Sequence, residues 1–189
     1  MQRRLRFQDE ILNSKDFDSD YTAVKLSLRL VGNTWYPHPD TTTLPQAMPY
    51  NQELRSLPHG PEFRFVDNLT TFEPGVSGSA TYLITGEEPF LKGHFPGNPL
   101  WPGVLMIEAI AQLGGVIAQS DPNEPILDDM RLTSVKNAKI LGSSPPGTTL
   151  TITAKVEGRL GKLIQIRGTV SDGDTNLASA MVILSGNAP

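Results

Sequence analysis

The feature that most constrains this chain is an apolar segment, residues 101–119, which follows a loop rich in glycine and proline. Pro102 suits the first position of a helix, because its missing N–H would have no partner there. We therefore predict a buried helix that begins at Pro102 or Gly103 and ends near Gln119. Glu108 is the only formal charge in the segment. A carboxylate in such a helix is costly to bury unless it is paired, hydrogen-bonded or protonated, so Glu108 is a candidate for chemistry.

Alternating apolar and polar residues predict strands on both sides of this helix. The candidate strands are residues 63–72, 76–85, 127–140, 148–158, 162–171 and 176–184. Asp172-Gly173, between the last two, is typical of a hairpin turn. One buried helix with about six strands predicts an α+β domain in which the helix packs on an antiparallel sheet.

The first 51 residues differ in composition from the rest of the chain. They include a short helical pattern at 7–12, an alternating strand pattern at 22–31 and the start of a proline-rich stretch at 32–58. We place the main domain at residues 52–189 and interpret 1–51 as an N-terminal extension of unknown role. Covering a sheet edge is the preferred hypothesis for that extension, because unpaired edges are prone to aggregate.

Length and composition exclude several classes of protein. A chain of 189 residues can bury one sizeable core, and a net charge of −4 with a pI near 5.3 argues against nucleic-acid binding. The absence of cysteine excludes disulfides and thiolate chemistry, and three scattered histidines predict no metal site. We expect no membrane span, no secretory signal and a cytoplasmic location.

Three residues around the start of the helix form a candidate site. His94 precedes Gly103 by nine residues, and Glu108 follows Gly103 by five. A free amide at a helix N-terminus suits a developing oxyanion, so the set supplies a base, an acid and an electrophilic dipole. This fits proton abstraction beside a carbonyl with loss of a group at the β position. The alternatives are a structural His94 and a buried ion pair at Glu108. His38 and His59 lie in proline-flanked loops and are expected to be capping or solvent-facing groups.

The segment 93–112 closely resembles the signature of the FabZ-type 3-hydroxyacyl-[acyl-carrier-protein] dehydratases: Gly93-His94-Phe95-Pro96-Gly97-x-Pro99-x-x-Pro102-Gly103-Val104-Leu105-Met106-Ile107-Glu108-Ala109-x-Ala111-Gln112. Other family-like segments fall in the expected order, among them Leu57-Pro58-His59, Glu88-Pro89-Phe90 and Val135-Lys136, so the resemblance covers roughly residues 54–187. Glu at position 108 and Val at 104 favour the FabZ type over the related dehydratase-isomerase branch.

The resemblance implies a hot-dog fold, in which a curved antiparallel sheet wraps a long helix. It implies that Gly103 polarises the thioester carbonyl, His94 removes the C2 proton and Glu108 protonates the departing C3 hydroxyl. The residues that it implies for the substrate tunnel are Phe95, Pro102, Val104 and Gln112. It also implies that no cofactor is needed beyond the phosphopantetheine arm of an acyl carrier protein.

The family assembles as a homodimer at least, often as a trimer of dimers, so the resemblance implies that His94 of one subunit faces Glu108 of its partner. One departure concerns the surface that would meet an acidic carrier. Lys139 is followed by Ile140-Leu141-Gly142, where the family usually has an aromatic and two basic residues, so the docking patch stays open. A hot-dog thioesterase and a non-catalytic acyl-binding subunit stay as alternatives.

Overall fold

The computed structural model describes residues 28–31, 34–37 and 52–188, and the chain divides into two units, Met1–Gln46 and Ala47–Pro189. In the first unit, β1 (Leu28–Val31) pairs antiparallel with β2 (Thr34–Pro37). The described part of the predicted strand at 22–31 is therefore a strand, and its partner belongs to the same extension. The predicted helix at 7–12 lies outside the described residues, and the boundary at residue 52 stays a prediction.

Among the described residues of the second unit, one α-helix, α1 (Gly103–Gln119), packs against a six-stranded antiparallel sheet. The strands lie in the order β3-β4-β6-β7-β8-β5. Their bounds are β3 (Asn68–Glu73), β4 (Ser77–Leu83), β5 (Asp128–Ile140), β6 (Thr149–Leu160), β7 (Leu163–Asp172) and β8 (Thr175–Asn187). The described part of this unit also has three short 3-10 turns, at Glu53–Ser56, Pro61–Phe63 and Pro89–Lys92. The expected α+β, hot-dog architecture is confirmed.

The helix is held by direct contact with the sheet. One face of α1 presents Met106, Ile110, Leu113 and Ile117, all with 0% exposure, at the spacing that lines one side of a helix. A Cβ at Gly114 would lie 2.5 Å from Cδ1 of Ile166. The glycine therefore allows the helix to pack closely against the sheet. This contact fixes where the rest of the helix surface points.

Strand β5 forms one edge of the sheet and is irregular. Its pairing with β8 shifts register three times, and Asp129 and Asn137 have positive φ. Its side chains are mostly exposed, including Leu132 at 38%, Val135 at 45% and Ile140 at 52%. An exposed edge of this length, with apolar side chains on it, is typical of a surface that another chain covers.

The predicted strand at 63–72 is wrong in its first half, since β3 begins only at Asn68. The reason is a competing side chain on α1. The amide oxygen of Gln112 accepts a hydrogen bond from the backbone N–H of Phe65 at 2.9 Å, and its amide nitrogen donates to the carbonyl of Phe63 at 2.9 Å. These backbone groups are satisfied by the helix, so the segment does not need a strand partner.

Candidate active site

The loop before α1 fixes the tautomer of His94. The ring nitrogen Nδ1 lies 2.7 Å from the carbonyl oxygen of Leu100. A carbonyl can only accept a hydrogen bond, so Nδ1 carries the proton and donates. A neutral His94 therefore has a bare lone pair on Nε2, for which no acceptor or donor is found among the described residues. That nitrogen is ready to act as a general base.

The residue after His94 adopts an unusual backbone conformation. Phe95 has a φ of 61°, which is rare for a bulky side chain and costs of order 1–3 kcal/mol. Its ring centroid lies 4.5 Å from that of His94 in an edge arrangement, and 58% of Phe95 is exposed. The strained backbone turns the ring of Phe95 away from the protomer's own core while keeping it against His94.

A cluster of aromatic side chains packs around Trp101 at the end of this loop. Trp101 is 1% exposed, and its ring centroid lies 4.8 to 5.6 Å from those of Tyr82, Phe90 and Phe65. The backbone N–H of Trp101 donates to the carbonyl of Ser144 at 2.8 Å. The loop is therefore anchored by burial immediately before the helix starts.

Glu88 lies at the edge of that cluster and shifts the acidity of its neighbour. The hydroxyl of Tyr82 donates to Glu88 Oε1 at 3.2 Å. Burial, followed by the nearby Glu88 charge, raises the pKa of Tyr82 well above its usual value. Partial burial opposes the charge on Glu88, but hydrogen bonds from the amides of Thr85, Gly86 and Glu88 itself outweigh it and lower the pKa of Glu88.

Glu108 lies in the second turn of α1 with its side chain 21% exposed. Gln112, one turn later, donates from Nε2 to Glu108 Oε1 at 3.0 Å. The orientation of the Gln112 amide is fixed, because its oxygen must face the N–H of Phe65 and its nitrogen therefore faces the carbonyl of Phe63 and Glu108. Oε1 is thus an acceptor, while Oε2 has no hydrogen-bond partner among the described residues.

Gly103 opens the helix directly after Pro102, and its amide has no hydrogen-bond acceptor within the described part of the chain. An unpaired amide at a helix N-terminus can receive an oxyanion. The side of Gly103 where a Cβ would project is already occupied, since that atom would lie 2.6 Å from Cγ2 of Ile140. The glycine therefore also allows β5 to approach the start of the helix.

A cavity of about 610 Å³ lies between α1 and β5. It is lined at one end by Glu108, Gln112, His59 and Phe63, and it extends along the helix toward Leu127 and Met130. The predicted site residues that do not line it, all of them described, are His94, Phe95, Pro102, Gly103 and Val104. One protomer therefore brings Glu108 and Gln112 into the cavity but not His94.

His59 is the residue that the sequence analysis missed. It was expected to be a capping or solvent-facing group, but its Nε2 lies 3.5 Å from Glu108 Oε1. The Glu108–Gln112 contact could have been predicted, because residues four apart share a helix face. The family-like segment Leu57-Pro58-His59 includes His59, but no local pattern places it against Glu108, since a loop residue reaches the helix only through the tertiary fold.

The described residues contain neither a candidate membrane span nor a candidate metal site. No helix there is long and apolar enough to cross a membrane. No group of three or more histidine, cysteine, aspartate or glutamate side chains in those same ranges is placed to hold a metal ion.

Comparison with known proteins gives a consistent set of similarities. The model of the FabA-like domain family matches residues 57–180. Two relatives named 3-hydroxyacyl-[acyl-carrier-protein] dehydratase FabZ, from Anaeromyxobacter sp. and Chloroflexus aggregans, are each 39% identical over 125 residues. Each alignment covers 64% of this chain, and they cover 79% and 85% of the two relatives respectively.

Solved structures share the fold at low sequence identity. The dehydratase heterocomplex ApeI:P from Xenorhabdus doucetiae matches with a TM-score of 0.59 and 18% identity, over 69% of this chain and 87% of that chain. A hypothetical thioesterase with coenzyme A from Streptococcus pneumoniae matches with a TM-score of 0.50 and 12% identity, over 64% and 85%. At these identities the likeness extends to the fold alone.

Proposed function

Because the chain belongs to the FabA-like domain family, we propose that it is a 3-hydroxyacyl-[acyl-carrier-protein] dehydratase, a hydro-lyase of fatty-acid or related acyl-chain synthesis. The observation that supports the proposal most directly is the hydrogen bonding of the two carboxyl oxygens of Glu108. Its Oε1 is held by Gln112, and its Oε2 is unpartnered among the described residues, in a cavity large enough for an acyl chain. A carboxyl group with one fixed and one unpaired oxygen suits proton delivery to a leaving hydroxyl.

The chemistry follows from the unpaired atoms of three residues. The amide of Gly103 receives the thioester oxygen and so acidifies C2. Nε2 of His94 takes the C2 proton as the electron pair forms the C2–C3 double bond. Glu108 gives a proton from Oε2 to the C3 hydroxyl, the C3–O bond breaks, and water leaves. The product is a trans-2-enoyl thioester, and the same groups run the reverse hydration.

We assign the complete site to two protomers. Within one protomer His94 does not line the cavity that contains Glu108, while Phe95 and Val104 are 58% and 67% exposed. The exposed β5 edge is the surface on which a second copy would pair and bring its own His94 toward Glu108. A homodimer is the minimum assembly that completes the site, and a trimer of dimers is the alternative.

The substrate reaches this site on the phosphopantetheine arm of an acyl carrier protein, in the cytoplasm, with no other cofactor. Basic residues that could meet an acidic carrier lie in separate places. Arg131, Lys136 and Lys139 follow one another along β5, whereas Arg159 lies near the end of β6, where it pairs with Glu124 at 3.3 Å. Since the β5 edge is already assigned to the second protomer, we assign the carrier to neither group.

The direct test is turnover of 3-hydroxyacyl-carrier substrates, with the enoyl product followed by its absorbance. His94→Ala and Glu108→Gln should each lower turnover by orders of magnitude and leave the oligomer folded. Release of free thiol from the thioester, without enoyl product, would instead identify a thioesterase. Binding without either product would identify a non-catalytic acyl-binding subunit.

The shared site predicts a sharper result when the two inactive variants are mixed. A heterodimer of His94→Ala and Glu108→Gln contains one site with both catalytic side chains and one with neither. After unfolding and refolding together, half of the dimers are mixed, so activity should return to about a quarter of wild type. No recovery after confirmed subunit exchange would contradict the two-protomer assignment.

A further inference from the structure

His59 lies close to Glu108 of the same protomer, in a loop whose backbone is held by hydrogen bonds. Its Nε2 is 3.5 Å from Glu108 Oε1, and its side chain is 32% exposed. Arg64 fixes the backbone of the loop, with Nε donating to the carbonyl of His59 at 2.7 Å and Nη2 donating to that of Leu57 at 3.3 Å. Two hydrogen bonds from Arg64 therefore hold the backbone that carries His59, and the nearness of its imidazole to Glu108 follows from that anchoring.

The other ring nitrogen indicates which proton His59 carries. Its Nδ1 is buried and has no hydrogen-bond partner among the described residues. A proton on Nδ1 would leave a buried donor unsatisfied and would turn the bare lone pair of Nε2 toward the oxygen of Glu108. A proton on Nε2 avoids both costs, because the N–H then faces the carboxyl oxygen. The geometry therefore favours the neutral tautomer with the proton on Nε2.

We propose that His59 is a positioning residue, which acts through Glu108 in the dehydration reaction. This proposal rests on the function proposed above. Nε2 of His59 lies 3.5 Å from Oε1, and the amide of Gln112 donates to the same oxygen at 3.0 Å, which leaves Oε2 as the oxygen that gives up and regains the proton. A neutral donor allows this cycle, whereas a cation at position 59 would hold Glu108 in its charged form.

Apart from His59, no titratable side chain is described in contact with Glu108. The ionisable residues of β5 that line the same cavity are Asp128, Asp129 and Arg131, and no ion pair or hydrogen bond among the described contacts joins them to Glu108. Among the described residues, the polar side chains beside Oε1 are therefore Gln112, which donates to it, and His59, 3.5 Å away.

Three substitutions of His59 separate a donor role from a packing role. A glutamine places an amide N–H at about the reach of imidazole Nε2, whereas an asparagine places it near Nδ1 and a leucine offers no donor. We expect His59→Gln to keep kcat within about threefold of wild type and His59→Asn and His59→Leu to lose about tenfold, with KM changed by less than about threefold. Equal kcat for the glutamine and asparagine variants would overturn the proposal.

A double-mutant cycle tests whether His59 acts through Glu108. In the Glu108→Gln background, His59→Leu should cost no further activity, because the group that it positions is already gone. A full additional tenfold loss there would show that His59 acts on the substrate or the fold instead, and would overturn the proposal. Residual activity of Glu108→Gln is measured at high enzyme concentration to keep this comparison quantitative.

A readout without turnover separates this proposal from the dehydratase assignment. The chain has three histidines, so nitrogen NMR of histidine-labelled protein can be assigned by single substitutions. We expect a protonated Nε2 on His59 whose signal shifts in Glu108→Gln. A proton on Nδ1, or no shift, overturns the role of His59 alone. The wild type could also show the NMR contact but dehydrate no 3-hydroxyacyl carrier. That result overturns the dehydratase assignment and the catalytic role of His59, but it leaves the contact between His59 and Glu108 established.

Discussion

Replacing Gln112 with leucine tests how the helix and the site depend on each other. Leucine keeps a similar volume but removes three hydrogen bonds, from the N–H of Phe65, to the carbonyl of Phe63 and to Glu108. Phe65 is 1% exposed, so its orphaned N–H should cost about 1–3 kcal/mol, and the half-buried Phe63 carbonyl about 1 kcal/mol more. The total is about 2–4 kcal/mol, or a fall in Tm of about 4–16 °C for a chain of this size.

The catalytic cost of Gln112→Leu comes from the third bond. Glu108 becomes charged as it gives up its proton, and hydrogen bonds to a charged group contribute about 1.5–3 kcal/mol. Loss of the contact to Glu108 should therefore lower kcat about tenfold or more. Thermal unfolding gives the first quantity, and turnover on a short-chain substrate well below Tm gives the second. The two measurements are independent, so each can contradict its own part of the reasoning.

Gln119 offers a matched control on the same helix. Its side chain also bridges to backbone, with Nε2 donating to the carbonyl of Leu127 at 2.7 Å and Oε1 accepting from the N–H of Leu127 at 3.0 Å. It lies about three turns beyond Glu108, at the far end of the cavity, where a short acyl chain does not reach. Gln119→Leu should lose comparable stability but keep kcat within about threefold. Equal losses of kcat in both variants, or an unchanged Tm for Gln112→Leu, would refute the reasoning.

Two further predictions concern the sheet and its supporting cluster. Gly168→Ala should destabilise the fold by about 2–3 kcal/mol, since its Cβ would lie 2.4 Å from Ile110 and 2.6 Å from a backbone oxygen. Chemical denaturation measures this loss. The control is Gly158→Ala, which has no atom within 4 Å of its Cβ and should change stability by less than about 0.5 kcal/mol. The raised pKa of Tyr82 means that the folded chain keeps a proton which the unfolded chain releases above about pH 10, so stability should fall as pH rises past that value. Tyr82→Phe should be less stable at pH 8 by about 1 kcal/mol, through loss of the bond to Glu88, but should lose less stability above pH 10; parallel curves for the two proteins would contradict this.

The sequence predicts α1 well because its determinants are local. Pro102 can stand only at or before the first turn, and the apolar run ends at Gln119, so the observed bounds match the predicted ones. The strands from β4 onward are predicted to within a few residues for the same reason, since alternation and turn residues are visible in short windows. The strand predicted at 63–72 is wrong at its start because Gln112, 47 residues after Phe65, takes that backbone N–H.

The residues of the candidate site also differ in whether local sequence predicts them. His94, Gly103 and Glu108 can be selected from a single segment, because a histidine, a helix start and a lone carboxylate are visible there. The place of His59 depends on how Arg64 folds its loop back over the helix, which no spacing in the sequence encodes. Resemblance to a family supplies the expected site residues, but it does not indicate which oxygen of Glu108 is held and which is unpaired.

In each half of the proposed site, one hydrogen bond orients the side chain that exchanges a proton. In His94, the carbonyl of Leu100 engages Nδ1, and in Glu108, the amide of Gln112 engages Oε1. Each bond fixes one polar atom and so determines that the other, Nε2 or Oε2, is the one that exchanges a proton with substrate. Both bonds are made within one chain, so each half is preorganised before the protomers meet. Assembly then only has to bring two prepared groups together, and for this reason mixed inactive variants should recover activity without any rearrangement of either half.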